Sequence, residues 1–512
     1  MTELAVRLKG ISKRFGAVQA NRGVDLEVGA GTVHGLVGEN GAGKSTLMAI
    51  LYGYYQADEG SIEIKGQPAR IANSHEAIAL GIGMVHQHFM LVDTLSALDN
   101  IMLGAEGGFF LRPSKAAARA KLEKLMQETG LTVRLDAVVG DLPVGEMQRL
   151  ELLKALYRGA KVLILDEPTA VLTPQETLQL FDTLRRLRSL GTTIILITHK
   201  LKEVMALCDA VTVMRQGQVV HKTLIGETSP ELLAEAMVGR KVNLGRQGGA
   251  VAANDEVRLT AERLSWSDAA GVPRLREVSL SLRAGEIVGV AGVSGNGQSE
   301  LLEVLSGMLA PASGRLQLGA SSFAAEAWLQ PSGARELKLA HVPEDRHACG
   351  MVLSFPAWET AVLGYQHQDQ YRKGLGMDHA RMRDETQAMQ ERFDVRPRDV
   401  NLGSSKFSGG NQQKLILARE IGQAPTVLLV GQPTRGVDIG AIEFIHGQLR
   451  ALRDAGCAVL LVSSELDEIL ALADRVVVMN GGRITGELSI EECDEKTLGL
   501  LMAADVAVEK AA

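Results

Sequence analysis

Short runs of β-branched and leucine residues recur along the chain. They are VHGLVG at 33–38, KVLILD at 161–166 and TTIILIT at 192–198, then EIVGVAG at 286–292, TVLLVG at 426–431 and AVLLVS at 458–463. Apolar runs of this length without alternation mark strands buried on both faces, as in a parallel sheet. Stretches with helical period separate them, such as QETLQLFDTLRRLRSL at 175–190. The pattern predicts an α/β fold in which helices cover mainly parallel sheets.

The pattern also occurs twice. VDLEVGAGTVHGLVGENGAGKSTL at 24–47 reads in step with VSLSLRAGEIVGVAGVSGNGQSEL at 278–301, an offset of 254. Further on, PVGEMQR answers SGGNQQK, KVLILDEPT answers TVLLVGQPT and TTIILITHK answers CAVLLVSSE, all at an offset of 265. A sustained offset is the mark of a duplicated domain. The 11 residues gained between the two offsets fall in a charge-rich, helical stretch, where an inserted helical subdomain is expected. Residues 241–255, KVNLGRQGGAVAAND, lack periodicity and read as a linker, which sets the domains at 1–240 and 256–506.

Composition agrees with two folded domains: 512 residues, 46% apolar and 22% charged. No apolar run approaches the roughly 18 residues of a membrane helix, and the start of the chain, MTELAVRLKGISKRFG, mixes charges through where a signal peptide is apolar. The expected location is therefore cytoplasmic. A net charge of −7 without a basic tract argues against nucleic acid as a partner. Cys208, Cys349, Cys457 and Cys493 form no C-x-x-C pair, so neither a metal knuckle nor a disulfide framework is expected.

Candidate chemistry starts at GENGAGKST, 38–46, which follows a strand, precedes a helix and matches the phosphate-loop pattern G-x-x-x-x-G-K-[ST]. The nucleotide loop is thus Gly38, Glu39, Asn40, Gly41, Ala42, Gly43, Lys44, Ser45 and Thr46. Amides from Gly41 to Ser45 suit a β-phosphate, Lys44 suits β/γ oxygens, and the Ser45 hydroxyl suits Mg²⁺. Asp166 ends a buried strand, where it can steady the metal, and Glu167 beside it is the candidate general base for water.

A phosphate loop, a glycine-containing signature, DEPT and a histidine, in this order and in two copies, resemble the ATP-binding cassette family over nearly the whole chain. The resemblance implies two tandem P-loop NTPase domains that use ATP and Mg²⁺. It implies that Gln87 contacts the metal and water, that His199 contacts the γ-phosphate, and that Phe15 stacks on adenine. It also implies that two such domains pair head to tail, each ATP lying between one phosphate loop and the other domain's signature. His86 and His88 flank Gln87 on what would be one face, but no third metal ligand accompanies them.

The second copy has Gln298 for the lysine, Gly431 and Gln432 for the Asp–Glu pair, Ser464 for the histidine and Glu344 for the lid glutamine. It lacks the base and the strand-end carboxylate for Mg²⁺. The signatures are damaged the other way round. The first copy reads LPVGEMQR, whereas the second keeps Ser408, Gly409 and Gly410, and Asp438 stands where the first copy has Thr173. Crossed pairing gathers every sound part into one site and every lesion into the other; pairing within a copy would spoil both.

A tandem chain of this kind is similar to the ATPase subunits of bacterial simple-sugar and nucleoside importers, the nucleoside branch above all. That resemblance implies two transmembrane permease subunits, an extracytoplasmic solute-binding protein beyond them, and a peripheral position on the cytoplasmic face of the membrane. The alternative is a soluble tandem cassette acting on ribosomes or nucleic acid. A long charged linker, a basic surface and two sound sites are expected of it, and the sequence has none of them.

Overall fold

Each of the six apolar runs forms a central strand in the computed structural model, which describes residues 3–16, 18–86, 89–105, 111–169, 172, 174–241, 246, 255–292, 295–437 and 439–503. The chain divides into two units, Met1–Val242 and Asn243–Ala512. In the first unit a six-stranded sheet runs in the order Gln218–Leu224, Ala210–Arg215, Val33–Gly38, Thr193–Ile197, Val162–Asp166, Ile82–Val85. Five of these strands are parallel, and only the edge strand Gln218–Leu224 is antiparallel. The second unit repeats this order with Arg483–Ser489, Arg475–Asn480, Ile287–Ala291, Ala458–Val462, Val427–Gly431 and Leu339–Val342.

Each unit also has a four-stranded antiparallel sheet, which the runs alone do not reveal. In the first unit its order is Val18–Gly29, Leu4–Phe15, Glu59–Ile64, Gln67–Ala69. The strand Val18–Gly29 alternates buried and exposed residues from Val24 to Val28, as expected where one face meets the core and the other meets water, while Leu4–Phe15 breaks the alternation with buried pairs at Ala5–Val6 and Ile11–Ser12. Leu8 and Leu26 from this sheet, Leu47 and Ile50 from the helix Lys44–Leu51, and Ile195 from the parallel sheet join one buried cluster. The helix that follows the phosphate loop is thereby held between two sheets, each fully buried leucine contributing roughly 1.5 to 3 kcal/mol.

The helical subdomain consists of Ala97–Met102, Leu111–Thr129 and Val144–Tyr157 in the first unit, and Ala357–Val362, His379–Arg392 and Gly409–Ile421 in the second. The 11 extra residues do not enter as one block. The offset is 257 at the strands beginning Ile82 and Leu339, 260 at the helices beginning Ala97 and Ala357, 263 at the helix ends Thr129 and Arg392, and 265 at Val144 and Gly409.

Candidate active site

The first unit's loop is held open by backbone that only glycine adopts readily. Gly41 and Gly43 have φ of 82° and 96°. A Cβ on Gly43 would lie 2.3 Å from Ala20 O, and one on Gly38 would lie 2.2 Å from Met214 O. Asn21, a buried residue the motif did not point to, donates its Nδ2 to Gly43 O at 3.1 Å and fixes the turn. Lys44 is buried and donates to the carbonyls of Gly38 at 2.7 Å and Glu39 at 3.0 Å, so its ammonium arches back over the loop. Ala42 is tied down through its N–H to Glu39 O, and its carbonyl accepts from Gly217 N. Asn40 and Thr46 complete the segment. Phe15 is exposed, meets Tyr55 edge-on at 5.1 Å, and pairs with Val18, two residues before the Ala20 carbonyl that abuts Gly43.

Asp166 and Glu167 come to this loop from the end of the strand Val162–Asp166. The Ser45 hydroxyl donates to Asp166. Burial and the neighbouring Glu167 charge push the Asp166 carboxyl above its ordinary range, while Ser45 and Lys44 pull it back. Glu167 is in the left-handed region at φ 46°, with its N–H on Ile197 O at 2.9 Å, which turns its side chain toward His199. His199 Nδ1 lies 2.8 Å from Glu167 Oε1. Burial alone would raise the Glu167 carboxyl, but the His199 bond and the charges of His199, Lys44 and Lys200 hold it below its ordinary value.

Sequence reasoning missed Glu203, which is buried, hydrogen-bonded to Thr169 and accepts from Thr198 Oγ1 at 3.1 Å, bracing the DEPT turn and the histidine strand together. The signal was present. Thr198 and Glu203 recur as Ser463 and Glu468, where Ser463 Oγ donates at 2.7 Å, although the histidine between them is lost. Gln87, His88, Thr173 and Asp438 lie outside the described residues. Among the described residues no cluster of three or more His, Cys, Asp or Glu could hold a metal, and His86 stacks on Tyr54 at 5.6 Å.

In the second unit the same scaffold carries different chemistry. Gln432 also has φ 46°, its N–H bonds Val462 O at 2.8 Å, and its Oε1 accepts from Ser464 N at 3.1 Å and Oγ at 3.0 Å. No side chain can replace Asp166 at Gly431 without movement, since a Cβ there would sit 2.8 Å from Leu302 Cδ1 and 3.0 Å from Glu344 N. A carboxylate is nonetheless present: Glu344 accepts from Ser299 Oγ and lies 3.8 Å from Arg435 Nη1. Gln298 is buried, with its Nε2 against Gly292. Ser408 stands at the N-cap position of the helix Gly409–Ile421 without a side-chain bond to its amides, and its hydroxyl accepts from Asn411 Nδ2 at 2.8 Å. Gly410 faces Val437 and Ala441.

A phosphate loop at the end of a parallel strand, a helix behind it and an Asp–Glu pair on the neighbouring turn define a P-loop NTPase in the first unit, and the same scaffold recurs in the second without the lysine or the Asp–Glu pair. The model of the ABC transporter family matches residues 21–170 and 275–435. The chain belongs to the ABC transporter family and is an ATP-binding ATPase of it. It is 43% identical over 500 residues to the nucleoside import ATP-binding protein NupA of Lactococcus lactis subsp. cremoris, covering 98% of both chains. It is 44% identical to the guanosine import ATP-binding protein NupO of Bacillus subtilis, covering 99% of each. It is 37% identical to a ribose import ATP-binding protein RbsA of Chromobacterium violaceum, covering 97% of each. An archaeal ribosome recycling factor, aABCE1, aligns with a TM-score of 0.65 over 96% of this chain and 92% of its own, at 18% identity, a likeness of fold alone. No helix among the described residues is long and apolar enough to cross a membrane.

Proposed function

We propose that this ATPase powers the import of nucleosides, with simple sugars as the neighbouring alternative, and that it hydrolyses ATP at one composite site. The single observation that carries the site is the Glu167–His199 pair beside the Ser45–Asp166 bond, all in the first unit. The loop from Gly38 to Thr46 holds the phosphates, Lys44 neutralises them, and Phe15 stacks on adenine. Ser45 and Asp166, with Gln87, would hold Mg²⁺. Their fit is electrostatic, since two adjacent carboxylates with one pushed toward its neutral form are an environment a divalent cation relieves. Bound there, the metal would neutralise phosphate charge.

Glu167, kept ionised, accepts a proton from water. His199 uses Nδ1 on Glu167, which leaves Nε2 to face the γ-phosphate. Ser408, Gly409, Gly410 and Asp438 complete the site from the second unit. The distribution of lesions in the sequence supports this crossing.

The nucleoside reading rests on the import proteins of similar sequence, and it places the chain peripherally at a membrane beside two permease subunits. We place the docking face at a cavity of about 240 Å³ in the first unit, lined by Tyr54, His86, Met90, Leu103, Lys154 and Arg158. Tyr54, Met90 and Leu103 are each at least half exposed, an apolar cluster that water disfavours. The test is uptake of labelled guanosine and labelled ribose by cells carrying wild-type or Glu167→Gln chain. Loss of guanosine uptake alone is expected; loss of ribose uptake alone overturns the substrate assignment.

A further inference from the structure

The segment that follows the strand Leu339–Val342 in the second unit is longer than the one that follows Ile82–Val85 in the first. Lys154 Nζ on Met90 O and Arg419 Nη1 on Gly350 O are equivalent bonds at 2.6 and 2.8 Å, which fixes Met90 against Gly350. From the last residue of the preceding strand to that point is five residues in the first unit, Val85 to Met90, and eight in the second, Val342 to Gly350. The longer segment carries a five-residue π-type turn, Arg346–Gly350, a departure from α geometry found frequently at functional sites. Asp345 caps the turn by accepting from His347 N and Ala348 N, and His347 Nε2 ties it to Gln412 of the signature helix at 3.0 Å.

The turn delivers Arg346 to the signature. A Cβ on Gly409 would lie 2.8 Å from Arg346 Nη2 and 3.3 Å from its Cζ, so the guanidinium lies against the start of the helix, where only glycine leaves room. Nη1 donates to Arg435 O at 3.2 Å, and Nε is buried without a hydrogen-bond partner among the described residues. The first intrahelical bond runs from Gln412 N to Ser408 O, so the amides of Gly409, Gly410 and Asn411 precede it.

The damaged signature of the first unit is built with the opposite charge. Val144 stands where Gly409 would be, and the carboxylate of Glu176 abuts Gly145, so that a Cβ there would be 2.4 Å from Glu176 Oε1. The position of Glu176 is Ala441 in the second unit. A guanidinium beside the first amides of a helix attracts a phosphate; a carboxylate one residue further along, from the other side of the signature, repels one.

We propose that Arg346 is a further phosphate-contacting residue of the hydrolytic site, presenting its guanidinium to the γ-phosphate of ATP beside Ser408 and Gly410, and that Glu176 excludes ATP from the other signature. This rests on the crossed pairing proposed above. Its signature is dependence on the terminal phosphate, because the rest of the nucleotide is held by the first unit.

The test uses the full chain carrying Glu167→Gln and compares equilibrium binding of Mg-ATP and Mg-ADP. Arg346→Ala should weaken ATP by about tenfold to a hundredfold, the range of one charge-assisted hydrogen bond. ADP should change less than about twofold, and Arg346→Lys should recover part of the loss. Equal weakening of ATP and ADP, or none, overturns the proposal and leaves Arg346 as a brace for the Arg435 loop. Gly410→Asp in the same background separates the two readings. If it weakens ATP while Arg346→Ala does not, only the arginine proposal fails; if neither weakens ATP, the crossed pairing fails with it.

Discussion

Glu167 and Gln432 end equivalent strands with the same left-handed backbone, φ 46° in each, and each reaches the residue at the start of the next turn, His199 in one case and Ser464 in the other. The scaffold is the same to within the differences of the side chains. One pair can take a proton from water, and the other, an amide and a hydroxyl, cannot. The proposed division of labour therefore comes down to a few side chains on a retained frame. The second frame persists in detail down to the Ser463–Glu468 brace, which steadies a turn with no histidine left to position.

The most severe way to press this comparison is to exchange the chemistry. Glu167→Gln should reduce ATP turnover by roughly 10² to 10⁴, the range of a lost general base, while Gln432→Ala should leave it within about twofold. Steady-state phosphate release from equally folded proteins measures both.

A second contrast lies where the first unit has its cavity. At the equivalent positions the second unit places Arg419 and Glu420 as a buried pair at 2.7 Å, with Tyr365 OH donating to Glu420 at 2.6 Å. Arg419→Met leaves the buried Glu420 carboxylate without its counter-charge, held by Tyr365 alone among the bonds above, and should destabilise the second unit by about 3 to 5 kcal/mol, read from denaturant unfolding of the full chain.

A smaller effect is expected from trying to repair the second site. Gly431→Asp forces a side chain onto Leu302 and the Glu344 backbone and should cost about 1 to 3 kcal/mol. Even with Gln432→Glu added, it should restore no turnover in a Glu167→Gln chain, as seen in the same phosphate assay.

The mildest probe is pH. Glu167 is held below its ordinary value, so the proton-accepting form survives below the ordinary glutamate range, and turnover should fall only as pH drops through that lowered value. The sign for stability is the same: the contribution is present above the unfolded value and lost as pH falls through the folded one. In His199→Ala, burial acts with less opposition, and the acid limb of the kcat profile should move upward. A limb that stays in place means His199 does not set the charge of Glu167.

Much of this was legible in the sequence, because the loop, the Asp–Glu pair and the buried strands are local patterns whose residue types are dictated by phosphate, metal and sheet chemistry. The antiparallel sheet was less visible: its half-buried strands Leu4–Phe15 and Val18–Gly29 mix polar residues and bulges that blur the period. Asn21, Glu203 and Arg346 were missed because their importance comes from distant partners, the carbonyl of Gly43, the hydroxyls of Thr169 and Thr198, and the bare backbone of Gly409. The gain of 11 residues read as one insertion, since the count alone does not show that it arrives in small steps at several turns.

The crossed pairing of the two copies is the central claim, and a carboxylate placed at each signature tests it most directly. The structure decides which positions to use. A side chain on Gly410 meets only ordinary contacts at 3.7 to 3.9 Å, whereas one on Gly145 would strike Glu176, so the exposed Val144 is the cleaner site in the first unit. Gly410→Asp should abolish hydrolysis carried out by Glu167 by repelling the γ-phosphate, and Val144→Asp should leave it within about twofold. If Val144→Asp is instead the more damaging of the two, each phosphate loop is completed by the signature of the first unit, and the crossed account is wrong.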